Sequence, residues 1–177
     1  VVVTAHRASD IRNALELARE HGLNLVIQGG AEAWMVADEL AAADVPVVLD
    51  PLLNLPASFE ALGATMENAA RLHEAGVTVA LSTGSSHNAR KLKQAAGNAV
   101  ANGLPWIEGL RAITAAPARA FGVADRVGTL EEGRLADVVI WSGDPLEVTT
   151  TVEQVFIGGQ PVPMESRQTR LRDRYLQ

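Results

Sequence analysis

Cysteine is absent from this sequence, which excludes a disulfide framework and any thiolate-bound metal. Aromatic residues are scarce, at 4% of 177 positions. Ala, Val and Leu therefore supply most of the apolar mass, as suits helices packed on short buried strands. No apolar run approaches the roughly 20 residues of a membrane-spanning helix, so no membrane partner is expected. A clustered basic face is missing too. Lys and Arg number 15 against 21 Asp and Glu, a net charge of −6, and no nucleic-acid partner is expected. The one basic concentration, Arg167, Arg170, Arg172 and Arg174, is interleaved with Asp173 and reads as a solvated helix face. Nothing resembling a signal peptide precedes Val1, so the cytoplasm is the expected location. The strand-like Val1 to Val3 reads as a start in the middle of a fold.

The sequence does carry a strong strand–helix rhythm. Val1 to Ala5 predicts a strand, and Ser9-Asp10 caps a helix running to about His21, stopped by Gly22. Leu25 to Gln28 is a second strand, followed by a helix from about Ala31 to Ala43. Val45 to Leu49 is a third strand, closed by Asp50-Pro51. A longer loop through Asn54 and Pro56 leads to a helix from about Thr65 to Ala75, then to a strand at Val77 to Leu81. Four consecutive βα units with continuous apolar strands predict a parallel sheet with right-handed crossovers. Such a unit standing alone leaves two sheet edges open. Helices near 89–102 and 105–121 follow.

From Val127 the texture changes to short strands at Arg134 to Trp141, Val152 to Ile157 and Gln160 to Pro163. Gly158-Gly159 is a two-residue hairpin signal. Met164 to Gln177 reads as a terminal helix or arm, with Leu171 and Tyr175 spaced to dock it on the body or on a neighbouring subunit. Three segments result: residues 1–126, 127–163 and 164–177.

The stretch Gly128-Thr129-Leu130-Glu131-Glu132-Gly133-Arg134-Leu135-Ala136-Asp137 followed by Val138 to Trp141 is a turn feeding a strand. Gly133 supplies positive φ. The pattern resembles the C-terminal signature of the amidohydrolase superfamily, and the chain is similar to the C-terminal half of an imidazolonepropionase-like or prolidase-like member. Arg7 to Ile11, Ala33 to Leu40 and Glu67 to Ala69 fit the same resemblance. It implies an α/β fold, namely strands 5–8 of a (β/α)8 TIM-type barrel plus strands of a small composite β-sandwich. It also implies a metal-dependent hydrolase that cleaves a C–N bond of a small, non-peptide or dipeptide-like molecule with activated water.

In such a barrel the reactive groups lie at the C-terminal ends of strands. The family's metal-ligand positions fall here on Thr4, Gly29 and Gly84, none of which is a ligand of the expected kind. The catalytic candidates are therefore His6, His87 and Asp50. His6 lies two residues beyond Thr4 and on the same side, as a substitute ligand or base, or else as a supporting or capping histidine. His87 sits in a Gly-Ser-Ser-His-Asn loop, as a replacement ligand or a plain surface histidine. Asp50 is either an acid or base or a turn-forming residue. Arg7, Gln28, Ser85 and Asn88 are the substrate-binding candidates. The expected cofactor is one zinc-like divalent metal completed by residues outside this segment. The expected partners are a small-molecule substrate and either a missing N-terminal barrel half or a second copy, in a homo-oligomer. A non-catalytic barrel that binds a small molecule or serves as a scaffold is the alternative reading.

Overall fold

The computed structural model describes residues 1–52, 56 and 58–176; Asn54, placed above in the long loop, falls outside them. Four parallel strands lie in the order β1 (Val2–Ala5), β2 (Val26–Gly29), β3 (Val47–Leu49) and β4 (Val79–Leu81). Thr4 pairs with Gln28, Gln28 with Val48, and Val48 with Ala80, so these residues form one row across the sheet. The alternate row, Ala5, Ile27, Val47, Leu49, Val79 and Leu81, belongs to the main apolar cluster together with Ile11, Leu40 and Leu72 from the covering helices. Val26, Val48 and Ala80 form a separate small cluster with Ala116. Period-two alternation thus divides the strands between a helix-covered face and its reverse.

The covering helices after α1 (Ala8–His21) are shorter than the sequence periodicity predicts. Helix α1 ends as expected, with Gly22 at φ 60. Its N-cap, however, is Arg7, and no side chain caps it; Ser9 and Asp10 lie inside the first turn. The predicted helix over 31–43 is a 3₁₀ turn (Ala33–Val36) followed by α2 (Ala37–Ala42). Helix α3 is only Asn68–Glu74. The segment after β4 comprises a 3₁₀ turn (Ser86–Lys91), α4 (Leu92–Ala101), α5 (Trp106–Arg111) and α6 (Ala115–Ala120).

The edge of β4 is partly covered: the Leu81 N–H donates to the Ala112 carbonyl at 2.9 Å. The corner between α5 and α6 therefore occupies part of an edge that the sequence alone leaves open. At the other edge Val1 and Val2 are exposed.

Strands β5 (Val138–Trp141), β6 (Val152–Ile157) and β7 (Gln160–Val162) form an antiparallel sheet. The hairpin glycines, Gly158 and Gly159, have φ of 56 and 78. Asp137 explains its place ahead of β5: its Oδ1 accepts the Gly158 N–H at 2.7 Å, and the Ala136 carbonyl accepts the Gly159 N–H at 2.9 Å. The motif therefore fastens the start of one strand to the hairpin of the next two.

After β5 the chain returns to the helices. Leu146 is buried, and a β-carbon on Gly97 would stand 2.8 Å from its carbonyl oxygen. Lys93 Nζ donates to the Glu147 and Thr150 carbonyls at 2.8 and 2.6 Å. Trp106 Nε1 donates to Asp144 at 2.8 Å. Helix α7 (Arg167–Tyr175) starts with a reciprocal Ser166–Thr169 capping box and buries none of its residues.

Candidate active site

At the C-terminal ends of β1, β2 and β3 lies a cavity of about 60 Å³ lined by His6, Gly29, Leu49, Asp50, Met66 and Asn68, among others. The strand ends place these groups. The Gly30 N–H donates to the Ala5 carbonyl at 2.7 Å, and the Glu32 N–H to the His6 carbonyl at 2.8 Å. The β1–α1 and β2–α2 turns are thereby joined beside the cavity. Glu32 then acts a second time through its carboxylate, which accepts the Ala8 N–H at 2.9 Å and the Gly63 N–H at 3.3 Å. Trp34 Nε1 donates to the Gly63 carbonyl at 2.8 Å. Gly63 is needed here because a β-carbon would come within 2.6 Å of the Met35 side chain and 2.7 Å of the Glu32 side chain.

Asp50 is half-buried and makes an Asx turn, its Oδ1 accepting the Leu52 N–H at 3.0 Å. Burial pushes its carboxyl above the ordinary carboxylate value, and the Leu52 N–H opposes that rise. Asn68, the first residue of α3, is 8% exposed. Its Nδ2 donates to the Gly30 carbonyl at 2.8 Å and to the Ala31 carbonyl at 3.4 Å, and its Oδ1 is buried without a partner among the described residues. Nothing in the sequence singled out Asn68 as a wall of the cavity or Glu32 as the clamp on the turns beside it. Only the tertiary contacts of their side chains reveal them.

Of the three catalytic candidates, the cavity brings together His6 and Asp50. His87 is exposed on the 3₁₀ turn after β4 and does not line it. Ser85 and Asn88 flank His87, and both are partly exposed. Arg7 does not line the cavity and forms an exposed ion pair with Glu60 at 3.3 Å. The Glu60 carboxyl is held below its ordinary range, chiefly by its own N–H and the Ser58 hydroxyl. Gln28 is exposed in the row that also contains Thr4.

This donor set does not fit a metal centre. Among the described residues no group of three or more His, Asp or Glu side chains converges. The backbone argues the same way. Gly29 has φ 99 and Gly84 has φ 68, conformations that side-chain-bearing residues rarely adopt. A β-carbon at Gly29 would stand 2.7 Å from His6 Cε1, and one at Gly84 would stand 3.1 Å from Asp50 Oδ2. The imidazole and the carboxylate lie against the places from which ligands at 29 and 84 would extend.

The model of the amidohydrolase family matches residues 5–162. The chain belongs to the amidohydrolase family. It is 31% identical over 164 residues to an imidazolonepropionase from Sphingopyxis alaskensis, an alignment that covers 83% of this chain and 40% of the relative. It is 38% identical over 99 residues to amidohydrolase tasK of Hapsidospora irregularis, covering 52% of this chain and 10% of that protein. The crystal structure of an amidohydrolase from Thermotoga maritima superposes with a TM-score of 0.87 at 37% identity, covering 93% of this chain and 43% of the other. This amidohydrolase-family chain thus spans less than half the length of each of these three proteins. No helix among its described residues is long and apolar enough to cross a membrane.

Proposed function

We propose that the protein containing this chain hydrolyses an amide-type C–N bond of a small molecule held at the C-terminal end of the parallel sheet. The observation that carries this reading is the meeting of the His6 imidazole and the Asp50 carboxylate in one cavity at those strand ends, within a chain of a hydrolase family. A neutral imidazole accepts a proton from water or returns it to a leaving nitrogen, and a nearby carboxylate orients the imidazole or the substrate. Arg7 and Gln28 from the first two strand ends, with Ser85, His87 and Asn88 after β4, are proposed to meet the rest of the substrate. Among the described residues, this chain's own His, Asp and Glu side chains do not by themselves form a metal site.

The same proposal takes the four βα units as the C-terminal half of a (β/α)8 barrel, completed by another stretch of the protein or by a second copy in a homo-oligomer. The cytoplasm is the proposed location. A second reading, a non-catalytic small-molecule-binding or scaffold barrel, is favoured by the left-handed backbone at Gly29 and Gly84. The experiment assays the full-length protein on a panel of dipeptides and cyclic amides, with elemental analysis of the same sample. Turnover that His6→Ala reduces by two orders of magnitude or more supports the hydrolase. Saturable small-molecule binding without turnover establishes the second reading instead.

A further inference from the structure

Among the described residues lining the cavity of His6 and Asp50, the imidazole is the only group that can become cationic. Asp50 contributes a carboxylate, and Asn68, another lining residue, has a buried amide oxygen without a partner among the described residues. The orientation of the Asn68 amide is fixed, since reversing it would set its oxygen against the Gly30 and Ala31 carbonyls. No Lys or Arg lines the cavity, and Asp50 has no ion-pair partner among the described residues. The remaining walls are largely apolar, with Leu49, Ala64, Met66 and Ala69 among them. A half-buried carboxylate without a cation and a buried amide oxygen without a donor are both costly.

We propose that this cavity binds the cationic, N–H-bearing end of a small molecule, a primary ammonium or a similar nitrogen head group. The inference rests on the reading of this sheet end as the small-molecule site. It adds the chemical class of the molecule. Size agrees: one water needs about 10–15 Å³ of such space, so about 60 Å³ admits a head group of a few heavy atoms. The remainder of the ligand extends outward. A carboxylate or phosphate head group would meet Asp50 with like charge, and is rejected.

The test titrates the full-length protein with methylammonium, tetramethylammonium and acetate at matched ionic strength, reading the thermal unfolding midpoint. Methylammonium raises it saturably; tetramethylammonium, which has no N–H, and acetate do not. Asp50→Asn keeps the shape and removes the charge, and it weakens methylammonium binding about tenfold or more, as loss of a charge-assisted hydrogen bond requires. Equal response to all three ions, stabilisation by acetate alone, or an unchanged midpoint curve in Asp50→Asn each overturns the inference. The two proposals fail separately. Turnover of neutral amides with no methylammonium effect removes the head-group assignment and leaves the hydrolase. Methylammonium binding without turnover on the amide panel does the reverse.

Discussion

The imidazole of His6 lies 2.7 Å, at Cε1, from the point where a β-carbon on Gly29 would stand. The two positions compete for one volume, and Gly29 at φ 99 leaves it to the histidine. This relationship decides which end of the cavity carries a nitrogen base. It also yields the first prediction. Gly29→His should destabilise the protein by about 2 kcal/mol or more, since the left-handed backbone alone costs about 1–3 kcal/mol and His6 must move as well. The expected readout is a lower urea midpoint together with no gain of bound zinc. An unchanged midpoint would show that β2 relaxes at its end and that the glycine is not required.

Glu32 holds two turns with one carboxylate. Glu32→Ala should cost about 1–3 kcal/mol, because it strands the Ala8 and Gly63 N–H groups. Glu32→Gln, whose amide oxygen still accepts, should recover part of that loss. Hydrogen exchange should accelerate at Ala8 and Gly63 in the alanine variant before it does so in β3. Uniform acceleration across the whole sheet would instead mean that Glu32 supports only global stability.

Asn68 anchors the β2–α2 turn through Nδ2. Asn68→Asp replaces a donor with an acceptor facing the Gly30 carbonyl, whereas Asn68→Ala merely removes it. The aspartate should therefore be the worse substitution at pH 7, and the difference should shrink in acid as the carboxyl gains a donating proton. Chemical denaturation of both variants at two pH values checks the order.

The Asp50 carboxyl is raised above its ordinary value by burial, so the folded state holds its proton more tightly than the unfolded state does. The stability this contributes is present in acid, below the ordinary carboxylate range. It is lost as pH rises through the raised value. Asp50→Asn removes this dependence. Relative to the parent, the variant should thus gain stability between about pH 4 and neutrality, measured as the difference in unfolding free energy across that range. A flat difference would mean that the carboxyl is solvated in the folded protein.

Much of the architecture was legible in the sequence. Four apolar runs spaced by amphipathic segments announced the parallel sheet, because buried strands need continuous apolar residues and their crossovers need helices. Gly22, Gly133 and the Gly158-Gly159 pair marked turns, and all adopt positive φ. Helix lengths were less legible. Apolar periodicity continues through Ala33 to Ala42, yet the first turn tightens to 3₁₀ as the segment leaves β2, held through Glu32 and Trp34. The break between α5 and α6 gave no periodic signal either; Ala112 turns its carbonyl to the edge of β4 there.

The sequence by itself determined the family and the order of strands, since these depend on residue identity and local spacing. Only the tertiary structure decided which polar groups share a cavity. It brought His6, Asp50 and Asn68 together and left His87 on the surface, although a histidine in a flexible loop reads equally well as either. The physical reason is that a site is made by side chains from separate strand ends meeting in three dimensions. Burial and the pairing of every N–H and carbonyl, which fix those meetings, depend on the whole packed chain.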